Sequence, residues 1–173
     1  MSDSPTLTIR GQHSDDWSEL YTLWSDEAIL RESLELPYMA EDAFRDQANT
    51  PAHVHVLIAE MSSLSGRKHI IGAAWLSANP RSRRRHVGEL ALMVRAEHRG
   101  TEAEAQLVDK ALTMADQWLG LRRVEAIVFA ANEGLLALFE SKGFEREVLM
   151  RQYALRDGKL SDAVQLARIR GEA

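Results

Sequence analysis

The chain has 173 residues, a formal net charge of -5, 45% hydrophobic and 27% charged residues, and no cysteine. That length suits one domain with a substantial core, and the acidic balance excludes a global positive field for gathering nucleic acid or an acidic membrane. The absence of cysteine excludes disulfides and thiolate nucleophiles. Residues 1–10 lack the basic and apolar regions of a secretory signal, and no apolar run is long enough to span a bilayer, so a cytoplasmic protein is expected.

In chain order, residues 6–10 read as a short first strand. Residues 14–24 place Trp17, Leu20, Tyr21 and Trp24 at helical spacing, with Ser14 as a candidate cap. Leu34-Glu35-Leu36-Pro37-Tyr38 breaks the pattern, which resumes as a helix over 41–48. Strands follow at 53–60, 69–76 and 86–94; the last is apolar on both sides, so alternation does not fix its core face. Between the second and third of these, Arg81-Ser82-Arg83-Arg84-Arg85 packs four cations into five residues. A phosphate site and a solvated hairpin edge that resists strand pairing are both open readings.

A long helix is predicted over 101–119, with Ala103, Leu107, Ala111, Ala115 and Trp118 as its buried stripe and Gly120 as its stop. A buried strand at 124–129 and a short helix from Asn132 to Lys142 come next, ended by Gly143. Strands at 144–155 and 160–169 are joined by Asp157-Gly158, a two-residue hairpin signal. The sum is one mixed α/β domain over residues 1–173, a sheet flanked by helices. Three meander strands before the long helix exclude a doubly wound nucleotide fold.

The turn Arg99-Gly100-Thr101-Glu102-Ala103-Glu104 carries the most chemistry. A strand, a glycine turn and a helix N-terminus present unpaired backbone N–H groups, a natural cradle for phosphate. Here the cradle carries two carboxylates. Thr101 and Glu104 also fit a capping box, in which Glu104 returns to the backbone N–H of Thr101. Alternatively, both glutamates point outward and leave the cradle free.

Several local sequences, taken together, resemble the GNAT N-acetyltransferases, and within them a bacterial subgroup that acetylates amino acids or related small amines. They are Leu34 to Tyr38, His86-Val87-Gly88-Glu89-Leu90, Asp116-Gln117-Trp118-Leu119, the Asn132 helix ending in Gly143-Phe144, and Tyr153-Ala154-Leu155-Arg156-Asp157-Gly158 followed by Asp162-Ala163 and Ala167-Arg168. The resemblance implies a central, mostly antiparallel sheet splayed at strands ending near Val94 and Ala130. It implies acetyl-coenzyme A as cosubstrate, with its pantetheine arm along Met93 and Val94 and its pyrophosphate on Arg99, Gly100, Thr101 and Ala103. Asn132 would touch the cofactor arm, or simply cap its helix. A small-molecule amine would enter near Glu35 and Tyr38.

Glu89 stands where some relatives place a general base; a structural ion pair is its other reading. Glu102 and Glu104 replace two small residues of the family turn, and Phe139 replaces a tyrosine that protonates the departing thiolate in many relatives. Tyr153 either reaches the cleft through the terminal hairpin or sits in a core or interface. The histidines make no metal spacing, so no metal is expected. No nucleic-acid or membrane partner is expected either. Trp17, Trp24 and the terminal hairpin are candidate surfaces for a homodimer. The carboxylate-filled turn leaves a second functional class open: a weak or inactive acetyltransferase-like domain that binds a metabolite or a protein.

Overall fold

The structure is a computed structural model that describes residues 5–47 and 50–171. Seven strands form one sheet in the order β1-β2-β3-β4-β5-β7-β6: β1 (Thr6–Gly11), β2 (Val54–Ser62), β3 (Lys68–Ala78), β4 (Val87–Val94), β5 (Arg123–Phe129), β6 (Glu145–Arg156) and β7 (Lys159–Ile169). All neighbours pair antiparallel except β4 with β5. The β6–β7 hairpin turns through Asp157 and Gly158, both at positive φ (50° and 74°), as a two-residue turn matched to strand twist requires.

Helices cover the two faces. On one lie α1 (Trp17–Trp24), α2 (Glu27–Leu30) and α3 (Glu41–Gln47); the 16-residue α4 (Glu102–Gln117) packs on the other, where α5 (Glu133–Ser141) joins the same core. The α4 stripe Ala103, Leu107, Ala111 and Ala115 is buried against Leu57, Ile71, Leu90 and Val124 of the sheet. Leu20, Leu23 and Ile29 pack on Val56, Ile58, Ile70 and Ala73 from the opposite side. Asp116 at the end of α4 takes two hydrogen bonds from Arg168 of β7 (2.9 and 2.8 Å), so two of the marked sequence segments meet in space.

The structure corrects several local expectations. Residues Ser14–Asp16 form a 3-10 turn, and His13 rather than Ser14 precedes it; the His13 N–H donates to Asp16 at 2.7 Å. Trp118 leaves the α4 stripe, because the helix has ended, and lies 80% exposed. Trp24 is buried, packed on Phe44 at 5.1 Å between ring centroids, and so offers no interface. The four-residue α2 has no counterpart in the sequence reading; Asp26 caps it by accepting from Ala28 N–H at 2.8 Å. The last residue of the helix expected over 41–48 falls outside the described residues. Within the basic run, Arg84 pairs with Glu125 at 3.1 Å.

Candidate functional site

The sheet opens where β4 and β5 part. Their parallel ladder consists of Val87–Arg123, Gly88–Val124 and Glu89–Glu125, and then stops. β4 nevertheless continues to Val94 against β3, and β5 to Phe129 against β7. Past Glu89 neither strand has the other as a partner, and the gap holds a cleft of about 370 Å³. Gly72 of β3 holds β4 close at this end: a Cβ there would lie 2.8 Å from Val94 Cγ2 and 2.9 Å from the Met93 carbonyl oxygen.

One bank of the cleft is β4, with Glu89, Met93 and Val94 facing it; Arg99, Gly100 and Glu104 close its upper end. The other bank is Val128, Phe129, Asn132, Leu135, Phe139 and Tyr153. Glu32, Leu34 and Glu35, from the segment after α2, cover the opening. Of the residues singled out from sequence, Glu35, Glu89, Met93, Val94, Arg99, Gly100 and Asn132 thus come together. Thr101, which is exposed, and Ala103, which is buried in α4, are not among the residues that line the cleft. Tyr38, at φ 67°, is fully exposed and is not among the residues lining the cleft.

The turn that opens α4 satisfies itself. Gly100 sits at φ 67°, a conformation free of side-chain strain only in glycine. Its N–H donates to Glu104 Oε2 at 2.6 Å, one residue earlier than the Thr101 N–H that a capping box would engage. Thr101 Oγ1 accepts from Ala103 N–H (3.3 Å) and donates to the His98 carbonyl (2.6 Å). Glu104 is buried, and that burial pushes its carboxyl above the ordinary carboxylate range, with the Gly100 N–H and the Arg99 charge acting in the opposite direction. Glu102 points to solvent and accepts from Gln106 at 2.6 Å. The carboxylate pair seen in sequence therefore reduces to one carboxylate in the cradle.

Arg99 gives two of its guanidinium donors to backbone carbonyls. Its Nε donates to the Val94 carbonyl (3.1 Å) and its Nη2 to the Ala28 carbonyl (3.0 Å), tying α2 to the end of β4. Asn132 does two jobs at once. Its Oδ1 caps α5 by accepting from Leu135 N–H (3.1 Å), and its Nδ2 donates to Glu32 (3.0 Å). Glu32 also pairs with Arg156, whose guanidinium lies 5.2 Å from the Phe129 ring centre. The segment after α2 is thereby fastened to the second bank. No sequence motif flagged Glu32; its partners are 100 and 124 residues away.

Glu89 is exposed in the cleft and makes no side-chain hydrogen bond or ion pair among the described residues, so the structural ion pair weighed for it is not formed. Phe139 is 1% exposed, edge-on to Phe144 at 4.9 Å, and presents no donor. Tyr153 reaches the cleft through a bulge. Met150 pairs with Ala163 and Ala154 with Ser161, so three residues of β6 oppose Asp162 alone. Gln152 takes φ 52° and donates its N–H to Asp162 Oδ1 at 2.8 Å, and Tyr153 lands edge-on to Phe129 at 6.4 Å.

A second cavity, of about 290 Å³, adjoins the cleft and shares Glu35, Ala91 and Met93 with it. Its remaining wall includes Leu20, Trp24, Phe44 and Trp75. No group of residues with metal-binding geometry occurs among the described residues.

Comparison with known proteins agrees with this geometry. The L-amino acid N-acetyltransferase AaaT of Escherichia coli (strain K12) is 23% identical over 164 residues, covering 95% of this chain and 98% of that one. Among solved structures, spermidine N-acetyltransferase from Vibrio cholerae, in complex with CoA and spermine, superposes with a TM-score of 0.82 at 20% identity, covering 95% of each chain. An acetyltransferase of the GNAT family from Streptococcus pneumoniae gives 0.75 at 23% identity, covering 95% of this chain and 99% of that one. The model of the acetyltransferase (GNAT) family matches residues 17–144, well over half the chain, and with the sheet split at β4 and β5 the chain belongs to that family.

Proposed function

We propose that the chain is an N-acetyltransferase that moves the acetyl group of acetyl-coenzyme A to a primary amine of a small molecule. The observation that carries this reading is the parting of β4 from β5 after Glu89, in a chain of this family. A strand with no partner on one side offers backbone groups to an extended amide-bearing ligand, and Met93 and Val94 are the residues on that edge that take the pantetheine arm. Gly100, Thr101 and Ala103 form the turn for the pyrophosphate, and Asn132 faces the arm from the other bank. The residues fit the arm better than the phosphates, because Glu104 already occupies the Gly100 N–H. Arg99 serves by holding the turn and α2 in place.

Glu89, which has no side-chain partner among the described residues, takes the proton that the amine nitrogen sheds as it attacks the thioester carbonyl. The C–S bond then breaks and the thiolate takes a proton from water or from the Tyr153 hydroxyl, since Phe139 has none to give. No residue of the chain is acylated. Glu35, at the opening, holds the incoming ammonium group. The name of the relative AaaT makes the α-amino groups of L-amino acids the first acceptors to assay. A cytoplasmic enzyme that uses no metal, nucleic acid or membrane belongs to the same reading. So does a homodimer, for which the exposed Val148, Leu149 and Leu160 of the β6–β7 hairpin offer apolar surface.

Glu104 favours a second reading, in which the chain keeps the fold but has lost coenzyme binding and serves as a metabolite-binding or protein-binding domain. Calorimetric titration with coenzyme A, followed by thiol release from acetyl-coenzyme A with L-amino acids and simple amines, separates the two. Micromolar binding with amine-dependent thiol release is expected. No binding at millimolar coenzyme A leaves the second reading standing alone.

A further inference from the structure

The second cavity lies on the α1–α3 side of the sheet, where the split opens away from α4. Trp24 and Trp75, with Phe44 and Leu20, make its wall mainly aromatic and aliphatic, and Gln12 and Thr50 add two uncharged polar groups. Trp24 and Phe44 are fixed against each other at 5.1 Å, and Tyr21 braces Phe44 edge-on at 5.6 Å while its hydroxyl donates to the Met39 carbonyl at 2.9 Å. The wall is therefore preformed. Its volume of about 290 Å³ exceeds the ~150 Å³ of an apolar cavity that holds benzene, so a ring with a short chain fits.

The cavity meets the cleft at Ala91, Met93 and Glu35. Ala91 and Met93 belong to the stretch of β4 that lacks a β5 partner, and Ala91 contributes only a methyl group to the wall. Glu35 is exposed, without a hydrogen bond or ion pair for its carboxylate among the described residues. A molecule with an apolar body in the cavity places its polar end between Glu35 and Glu89, at the mouth of the split. Carboxylates at the end of a mainly apolar pocket select a cation with an apolar tail.

We propose that this cavity is the acceptor's side-chain pocket and that the acceptor is a primary amine bearing an aryl or similarly bulky apolar group. The proposal rests on the acetyl-transfer reading for the word acceptor, while the pocket itself is tested without the coenzyme. A linear diamine is the competing chemistry, since Glu35 and Glu89 together would favour two positive charges over one charge and a ring.

The test is tryptophan fluorescence of the full chain, titrated with 2-phenylethylamine, 1,4-diaminobutane and 2-phenylethanol. Trp24 and Trp75 lie in the wall, and Trp118→Phe removes the exposed background. Saturable quenching by 2-phenylethylamine is expected, on the order of tenfold tighter than by either other compound, as burial of a ring and pairing of a charge each dictate. Glu35→Gln, at an exposed position that cannot disturb the core, should bring 2-phenylethylamine down to the level of 2-phenylethanol. Phe44→Ala should weaken 2-phenylethylamine with little effect on 1,4-diaminobutane.

Tighter binding of 1,4-diaminobutane, or equal binding of amine and alcohol by the wild type, overturns the proposal. Coenzyme A binding measured on the same protein keeps the two readings apart. If coenzyme A binds and 2-phenylethylamine does not, the pocket assignment fails and acetyl transfer stands. If 2-phenylethylamine binds and coenzyme A does not, the acceptor role fails with the acetyl-transfer reading.

Discussion

Replacing Glu104 by glutamine tests the cradle with the smallest change available. Glutamine keeps an oxygen that can accept from Gly100 N–H and removes only the charge. A pyrophosphate on the same turn would place its nearest negative charge ~5 Å from the Glu104 carboxylate, a repulsion of roughly 3 kcal/mol at an effective dielectric of ~20. Arg99 offsets part of this, so coenzyme A should bind on the order of tenfold to a hundredfold more tightly to Glu104→Gln. The gain should be largest at low salt.

Because burial raises the Glu104 carboxyl, wild-type affinity should climb as pH falls through that raised value, and the advantage of the variant should shrink there. The stability sign is fixed by the same shift. A carboxyl raised on folding contributes stability that is present below its unfolded value and lost as pH rises through its folded value. The variant should therefore melt higher than wild type near neutrality and converge with it at acid pH. Calorimetry at several pH values and two salt concentrations, with Glu102→Gln as the exposed control, reads all of this. If Glu104→Gln binds no more tightly than wild type at low salt, phosphate does not share this turn with the carboxylate, and the repulsion argument is refuted.

Asn132→Ala removes both the α5 cap and the tie to Glu32, and should cost about 1–2 kcal/mol in thermal or denaturant unfolding, the usual worth of a cap and a charged hydrogen bond. A loss below a few tenths would mean that water replaces both bonds. Asp116→Asn breaks the two-point pairing with Arg168, which holds the Asp116 carboxyl below its ordinary value. Its destabilisation should be full above the ordinary carboxylate range and fade as pH falls through the lowered value, which a series of melts between acid and neutral pH would show. Phe139→Tyr adds a phenol to a ring that is 1% exposed yet lines the cleft. If thiolate protonation limits the rate, turnover should rise by about tenfold or more without a matching change in coenzyme A affinity; equal turnover across a pH series would show that it does not limit.

Much of this was readable in the residues because it depends on near neighbours. The apolar spacing of Ala103, Leu107, Ala111 and Ala115 fixed the buried face of α4, Asp157-Gly158 fixed the hairpin, and Asn132 was legible as a cap three residues before Leu135. What sequence left obscure depends on distance or on a single step of geometry. Glu104 engages Gly100 rather than Thr101 because the left-handed glycine turns its own N–H inward, a detail that spacing cannot decide. Glu32 acquires its meaning from Asn132 and Arg156, far along the chain. α2 is too short to show periodicity. The aromatic cavity draws its wall mainly from α1, α3 and β3, whose residues sequence could assign only to a core or an interface.

The bulge that delivers Tyr153 to the cleft also separates two tasks that a sheet ordinarily binds together. β6 is an edge strand whose residues are largely exposed, so little of the core depends on it. A side chain facing the reaction space is thus mounted on the most replaceable part of the sheet, and its aim is set by one left-handed residue and one carboxylate, Gln152 and Asp162. Loss of a single residue from 151–153 would re-aim the side chain at the bulge, while the hairpin turn keeps 154–156 in register with 159–161 and the β5–β7 pairing beneath stays intact. A change in the length of this bulge therefore alters what the cleft presents at its rim without repacking the core of the sheet.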